Sequence, residues 1–317
     1  MPIDQNTAPA DEHQDRSSRL TVGVLGLGLI GGSFAKAYAA AGHRVLAFDT
    51  DAETMAAASV ETVSGVLDDS TLASCDLIIL AAYPGACLAW IEAHAERLAE
   101  ASAAAAGNRA KDAAPAGPLV IDAAGVKRAI CARAFDLAAA FGFSFVGAHP
   151  MAGSEHAGFA HARADLFHGA PMVLVPPPVD DIERLLLLDR AHRLLAPVGF
   201  GTYSVTTPEA HDRVIAFTSQ LAHVVSNAYV KSPTAQEHHG FSAGSYRDLT
   251  RVAHLHPAMW AELMSDNATF LISELDQIIG ALGQYRDALA AADTERLRAL
   301  LAEGDRIKRA LDDSKED

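Results

Sequence analysis

Positive charge is the scarcest commodity in this chain: 25 lysines and arginines stand against 40 aspartates and glutamates, a formal net charge of −15. So acidic a protein offers no cationic groove to a nucleic acid and no attraction to an anionic membrane surface. Any anionic substrate has to be met by a few local cations. Cysteine is nearly absent as well. Cys75, Cys87 and Cys131 are odd in number, scattered and without a CxxC pair, which excludes a disulfide frame and fits small apolar side chains in a reducing cytosol. No metal-ligand spacing is found among the 14 histidines, and no uncharged apolar run approaches the length of a membrane span. Residues 1–18 are polar, mixed in charge and lack the apolar centre of a secretory signal. They are expected to form a disordered tail on a soluble, cytoplasmic protein.

What is present is ordinary globular material: 317 residues, half of them hydrophobic and 21% charged, enough for two domains with real cores. Leu20 to Leu25 reads as a short buried strand. Gly26-Leu27-Gly28-Leu29-Ile30-Gly31 follows it and precedes an amphipathic helix running to about Ala41. This is a GxGxxG loop in its working context. Gly26 makes the tight turn, Gly28 lets a pyrophosphate approach bare backbone, and Gly31 lets helix and strand pack closely. The helix N-terminus offers unpaired N–H groups to the phosphates. A second strand, Arg44 to Phe48, closes at Asp49, about 20 residues beyond the glycines, where a carboxylate accepts hydrogen bonds from both ribose hydroxyls. A 2′-phosphate would meet like charge there, and Thr50 and Asp51 follow instead of an arginine. NAD is therefore expected over NADP.

Strand and helix continue to alternate. Asp76 to Ala82 is a strand ending at Tyr83-Pro84-Gly85, a loop that would skirt the cofactor, and an Ala-rich helix runs on to about Ala106. Residues 107–117 form a polar connection; Leu119 to Asp122 is the next strand, and Ala123 to Lys127, including Gly125, leads into a helix. Phe143 to Val146 is strand-like, and Gly147 to Glu155 is expected to leave the sheet as a loop carrying His149, stiffened by Pro150. Histidine there is well suited to proton traffic near neutral pH. Further strands are expected at Pro171 to Val175 and near Gly201 to Val205, with a helix between. The fold class is thus α/β: a doubly wound, Rossmann-type NAD-binding domain over residues 19–205.

At Thr206 the alternation stops, and residues 206–317 read as an all-α domain for substrate and dimerisation. Thr206-Thr207-Pro208-Glu209 starts a helix running to about Val230. Val214, Phe217, Leu221, Val224 and Ala228 are its apolar stripe, while Ser219, Gln220, His223, Ser226 and Asn227 form an uncharged polar stripe suited to lining a cleft. Ser245 to Ala253 brings Arg247 and Arg251 four residues apart. Pro257 opens a long helix, and a charged amphipathic helix covers roughly Asp293 to Leu311. These long apolar helices exceed what one small domain need bury, so a homodimer is expected.

The glycine loop, Asp122 to Lys127, Gly147 to Glu155, Ser219-Gln220-Leu221-Ala222-His223, and Asp248-Leu249-Thr250-Arg251-Val252-Ala253 followed by Pro257 and Trp260 together resemble the prephenate and arogenate dehydrogenases of tyrosine synthesis. The resemblance covers about Thr21 to Ala310. It implies NAD-dependent oxidative decarboxylation of prephenate, with arogenate dehydrogenation, or oxidation of an amino analogue of prephenate in secondary metabolism, as alternatives. By the match His149 draws off the ring hydroxyl proton, His223 helps hold the substrate, and Arg251 binds the ring carboxylate. Gln220 contacts the substrate side chain, and Arg247 and Ser154 complete the substrate-facing set. Glu155 and Asp248 are expected to pair with Arg251 or Arg247 when the site is empty. Gly26, Leu27, Gly28, Leu29, Ile30, Gly31, Asp49, Tyr83 and Gly125 make up the cofactor set, with no metal.

One departure from the family stands out. Many relatives carry serine where this chain has Gly125, and that hydroxyl is expected to orient the catalytic histidine; Ser154, Thr218 or a water would have to substitute. The chain is also expected to lack a regulatory αβ module and a fused mutase segment, so that tyrosine feedback would act at the active site. Two rival readings differ in kind. A β-hydroxy-acid dehydrogenase would need a lysine within a helix of the second domain, whereas Lys231 sits at a helix end. A non-catalytic NAD-binding sensor would bind cofactor and form no NADH.

Overall fold

A computed structural model describes residues 19–107, 116–154, 156–237, 240–241 and 243–313. The expected tail, most of the 107–117 connection and Glu155 lie outside the described residues. Eight strands form one sheet in the order β3-β2-β1-β4-β5-β6-β7-β8: β1 (Thr21–Leu25), β2 (Arg44–Phe48), β3 (Gly65–Val66), β4 (Leu77–Leu80), β5 (Leu119–Asp122), β6 (Ser144–Pro150), β7 (Pro171–Val175) and β8 (Thr202–Val205). All neighbours are parallel except β6 and β7. The central strands β4 and β5 are buried along their whole length. That burial explains their unbroken aliphatic runs: a parallel sheet is covered on both faces.

The covering helices are α1 (Leu29–Ala40), α2 (Ala52–Glu61), α3 (Pro84–Ala106), α4 (Arg128–Phe141) and α5 (Asp181–Leu195). Their apolar faces give two cores, one per sheet face. The first centres on Val22, Val24, Phe34, Tyr38, Ile79 and Ile121. The second centres on Leu46, Ile78, Leu80, Ile91, Leu98 and Val120. Each buried aliphatic or aromatic side chain contributes about 1.5–3 kcal/mol of transfer free energy. The Tyr38 hydroxyl, fully buried, donates to the Leu194 carbonyl at 2.8 Å and so ties α1 to α5. All three cysteines are buried and unbridged. Burial pushes the Cys75 and Cys87 thiols up to about 12, so they act as small apolar groups.

Three local differences from the sequence reading have physical causes. β6 runs on to Pro150, because residues 147–150 pair with β7, His149 opposite Val173; His149 therefore sits on a strand and not on a loop. The helix expected from Thr206 to Val230 is three pieces: α6 (Pro208–Ile215), a π-helical turn (Ala216–Leu221) and α7 (Ala222–Tyr229). π turns of this kind cluster at functional sites. The long helix opened by Pro257 breaks at Asn267, whose φ of −110° and ψ of 18° lie off the helical well, into α9 (Pro257–Asp266) and α10 (Ala268–Ala290).

The chain divides into two compact units, one through Ile215 together with His254–Asp266, the other Ala216–Ala253 together with the residues from Asn267 onward. The division falls between α6 and the π turn. In the first unit α9 lies against the nucleotide-binding half: Glu262 Oε1 accepts the Gly85 N–H at the start of α3 at 3.1 Å. The second unit comprises the π turn, α7, α8 (Gly244–Thr250), α10 and α11 (Thr294–Asp313). On α10 the large apolar side chains of Ile272, Ile279, Leu282 and Leu289 are exposed. Among the described residues, no helix is long and apolar enough to cross a membrane, and no cluster of candidate metal ligands occurs.

Candidate active site

The glycine loop joins β1 to α1 as its sequence demands. Gly26 has φ +83°, a left-handed conformation, and a Cβ there would stand 2.8 Å from the Ala81 carbonyl oxygen. Around Gly28 the space is open, with nothing within 4 Å of where a Cβ would lie. The N-terminus of α1 has no side-chain cap and no acid in its first turn, so its N–H groups point outward for an anion. Asp49, at the end of β2, accepts the Leu27 N–H at 2.6 Å and the Asp51 N–H at 2.9 Å. A carboxylate has about four acceptor positions, so two remain for ribose hydroxyls. Tyr83, 45% exposed, precedes α3 beside this loop. Gly125 stands in the turn after β5, where a Cβ would touch Leu263 of α9 at 3.7 Å. These residues fit a dinucleotide.

His149 is placed by the same sheet. Asp122, at the end of β5, accepts the Ala148 N–H at 3.1 Å and the Ala124 N–H at 3.0 Å, and so fixes the backbone just before His149. Lys127 Nζ bonds to Asp122 Oδ2, and both side chains are wholly buried. A lone charge in that position would be very costly; as a pair the two compensate. His149 Nδ1 lies 2.9 Å from His211 Nε2, with the rings edge to face at 61°. His211 Nδ1 in turn lies 2.7 Å from Asp212 Oδ1. Asp212 also accepts the Lys127 N–H at 2.7 Å and the Arg128 N–H at 2.8 Å, closing the start of α4 onto α6. His211 is 4% and Asp212 0% exposed.

This His211–Asp212 pair was not anticipated. The only sequence signal was its place in the first turns of a helix that opens on a threonine cap, where the Ala210 N–H reaches Thr207 Oγ1 at 3.2 Å. His149 is held well below the ordinary histidine value of 6.5, first by burial, then by His211 and by Lys127. It is neutral at physiological pH. Ser154, one of the hydroxyls expected to replace the missing serine, makes no hydrogen bond to it among the described residues. Ser154 is occupied with His156, donating to its carbonyl at 3.0 Å and accepting its N–H at 3.1 Å. Among the described residues it is His211 that holds the His149 ring.

The second unit arranges its own candidates. His223 Nδ1–H donates to the Ser219 carbonyl at 2.9 Å, one turn back. Gln220 is buried, and its Oε1 accepts from Asn267 Nδ2 at 2.8 Å, so its amide braces the π turn against the start of α10. Asn227 Nδ2 donates to the Ala253 carbonyl at 3.1 Å. Arg247 lies on α8 and Arg251 at its C-cap, both exposed. Asp248 pairs with neither arginine among the described residues, contrary to expectation, and Glu155, the other expected partner, lies outside the described residues.

A doubly wound sheet with an uncapped glycine loop, an acid at the end of β2 and a neutral imidazole on an inner strand is the build of a nucleotide-binding oxidoreductase. The comparisons make this particular. The family description "Prephenate dehydrogenase, nucleotide-binding domain" matches residues 34–200, and "Prephenate dehydrogenase, dimerization domain" matches residues 207–303; the chain belongs to the prephenate dehydrogenase family. It is 29% identical over 301 residues to a prephenate dehydrogenase of Bacillus subtilis, covering 87% of this chain and 72% of that one. It is 31% identical over 172 residues to a cyclohexadienyl dehydrogenase of Zymomonas mobilis, covering 52% of this chain and 57% of that relative's length. Among solved structures, an arogenate dehydrogenase from Synechocystis superposes with a TM-score of 0.70 at 26% identity, covering 92% of this chain and 100% of that one. A prephenate dehydrogenase from Aquifex aeolicus, in complex with hydroxyphenyl propionate and NAD+, does so at 0.70 and 25%, covering 92% and 98%.

Proposed function

We propose that the protein is an NAD-dependent dehydrogenase that oxidises and decarboxylates prephenate to 4-hydroxyphenylpyruvate. The observation that carries this reading is a neutral His149, held by a buried partner in the unit that also carries the glycine loop and Asp49. Bound NAD+ supplies the acceptor for a hydride from the ring carbon that bears the hydroxyl. His149 takes the hydroxyl proton as that carbon becomes a carbonyl. The bond to the ring carboxylate then breaks and CO2 leaves. Its electron pair enters the ring, and the resulting phenolate oxygen recovers the proton from His149. The histidine ends as it began, and the substrate has lost one hydride and one CO2. A base so placed contributes about 10²–10⁴-fold.

Arg251 pairs with the ring carboxylate. Its lack of a carboxylate partner among the described residues leaves its charge available, and at physiological salt the Debye length of about 8 Å screens the distant acidic surface. His223, Gln220, Arg247 and Ser154 complete the substrate set in this reading, and Tyr83 borders the cofactor. NAD is preferred to NADP because Asp49 would repel a 2′-phosphate. The match to a dimerisation domain and the exposed apolar residues of α10 support a homodimer.

Arogenate is the second reading, favoured by the Synechocystis neighbour. Initial rates of NADH formation with prephenate and with arogenate, and with NADP+ in parallel, decide between them. Turnover of prephenate with NAD+ is expected, and His149→Asn is expected to abolish it while sparing NAD+ affinity. Binding of NAD+ with no NADH from either substrate would remove both readings and leave an amino analogue as substrate or a non-catalytic sensor.

A further inference from the structure

We infer that His211 and Asp212 are positioning residues that lock His149 in the Nδ1–H tautomer, so that its Nε2 is the atom that receives the substrate proton. The inference rests on the proposed dehydrogenase reading only for what the proton comes from; with His211 neutral, the tautomer follows from the hydrogen-bond geometry.

A neutral imidazole has one donor and one acceptor nitrogen, and the chain of contacts has one end whose polarity is fixed. Asp212 accepts the Lys127 N–H on Oδ1 and the Arg128 N–H on Oδ2, so both carboxylate oxygens are acceptors. The group facing Oδ1 from His211, Nδ1 at 2.7 Å, must therefore carry its proton and donate. In the neutral ring His211 Nε2 is then the bare nitrogen. It faces His149 Nδ1 at 2.9 Å, and two bare nitrogens cannot bond, so His149 Nδ1 carries a proton and donates to His211. That leaves the lone pair of His149 on Nε2. No hydrogen bond to Nε2 is made by any described residue.

The direction of the chain matters for the chemistry. In solution the tautomer with the proton on Nε2 competes, and that form presents a donor where a base is required. The buried carboxylate removes the competition through one intervening ring. When Nε2 takes the hydroxyl proton, His149 becomes an imidazolium whose Nδ1–H still donates to His211, and His211 still donates to Asp212. The developing charge is met by a carboxylate two hydrogen bonds away without any proton moving along the chain. Charged groups near this row include Lys127 and Arg128 at the start of α4, Asp122 on β5 and, close enough to interact with Asp212, Asp266 on α9. Lys127 opposes protonation of His149, which makes Asp212 the counterweight. The relay also fills the place left by Gly125: orientation that a hydroxyl after β5 would supply comes here from α6.

The test uses the whole protein labelled with 15N at histidine, saturated with NAD+ and without a cyclohexadiene. The His149 signals are assigned by their loss in His149→Asn. Above its acid titration His149 should show a protonated, pyrrole-like Nδ1 and a bare, pyridine-like Nε2. A protonated Nε2 with a bare Nδ1 overturns the inference. Two substitutions at His211 extend the test. His211→Leu removes the acceptor and should lower kcat about 10- to 100-fold, leave KM and the NAD+ Kd within about twofold, and raise the population of His149 protonated on Nε2. His211→Gln, whose amide oxygen accepts from His149, should recover much of the lost kcat. An unchanged kcat and tautomer in His211→Leu refutes the positioning role. Should that variant not fold, the wild-type 15N pattern decides alone. Because the spectra need no substrate, a bare Nε2 in a protein that turns over neither prephenate nor arogenate would leave the tautomer standing and remove the substrate assignment.

Discussion

A Cβ on Gly31 would stand 1.8 Å from the carbonyl oxygen of Gly26. The first and last glycines of the loop thus pack against each other, and the start of α1 can approach β1 only because Gly31 has no side chain there. Overpacking usually costs about 1–3 kcal/mol, but here the obstacle is backbone, which cannot rotate away. Gly31→Ala should displace the α1 N-terminus and weaken NAD+ binding at least tenfold, read by fluorescence titration. Retention of wild-type affinity would mean that the loop does not cradle the dinucleotide.

Asp49 holds the same loop from the other side through the Leu27 N–H. Replacing it with serine removes a charged acceptor worth about 1.5–3 kcal/mol. Asp49→Ser should raise the NAD+ Kd about 10- to 100-fold and narrow the preference over NADP+. Isothermal titration with both nucleotides measures the two effects together, and an unchanged ratio would detach Asp49 from the ribose.

Lys127 and Asp122 form a buried ion pair behind His149. Lys127→Met keeps the packing volume and strands a carboxylate away from water, which costs about 3–5 kcal/mol. The midpoint of urea unfolding should fall with little change in slope. A loss under about 1 kcal/mol would mean that Asp122 is content with the Ala124 and Ala148 N–H groups alone, at odds with the cost expected of a broken buried pair.

The depressed pKa of His149, caused first by burial, fixes the sign of two pH effects. The base is active when neutral, so kcat should be level from 6.5 upward and fall only as pH drops through a folded-state value below 6.5. Stability follows the same direction. Between the folded value and the unfolded 6.5 the unfolded chain binds more protons, so this contribution is full above 6.5 and is lost as pH falls through the folded value. An acid limb of the rate profile at or above 6.5 would contradict the burial.

The parts of this site that could be read from the chain are those written locally. GxGxxG followed by a helix and an acid about 20 residues later is a contiguous statement, and Gly26, Gly28, Gly31 and Asp49 stand where it puts them. His149 was recognisable as a chemical group but not as a strand residue, because its extended backbone is imposed by β7, more than 20 residues away. His211 and Asp212 look in sequence like any polar pair in the first turns of a helix. Their role exists only once α6 is laid against α4, 84 residues earlier at Arg128. Nothing in the side-chain pattern marks the π turn, and at Asn267 the periodicity of apolar residues continues straight across the break. Helical spacing also cannot reveal that Asn267 Nδ2 donates to Gln220 Oε1.

The chain passes between its two units three times, near Ile215, Ala253 and Asp266. Neither half is therefore a contiguous stretch of polypeptide. A fragment ending at Val205 would lack the imidazole and carboxylate that orient His149, as well as the glutamate that closes the start of α3. Splitting the gene at the apparent domain boundary would yield two incomplete pieces, and fusions or circular permutations of this protein should place their new ends elsewhere.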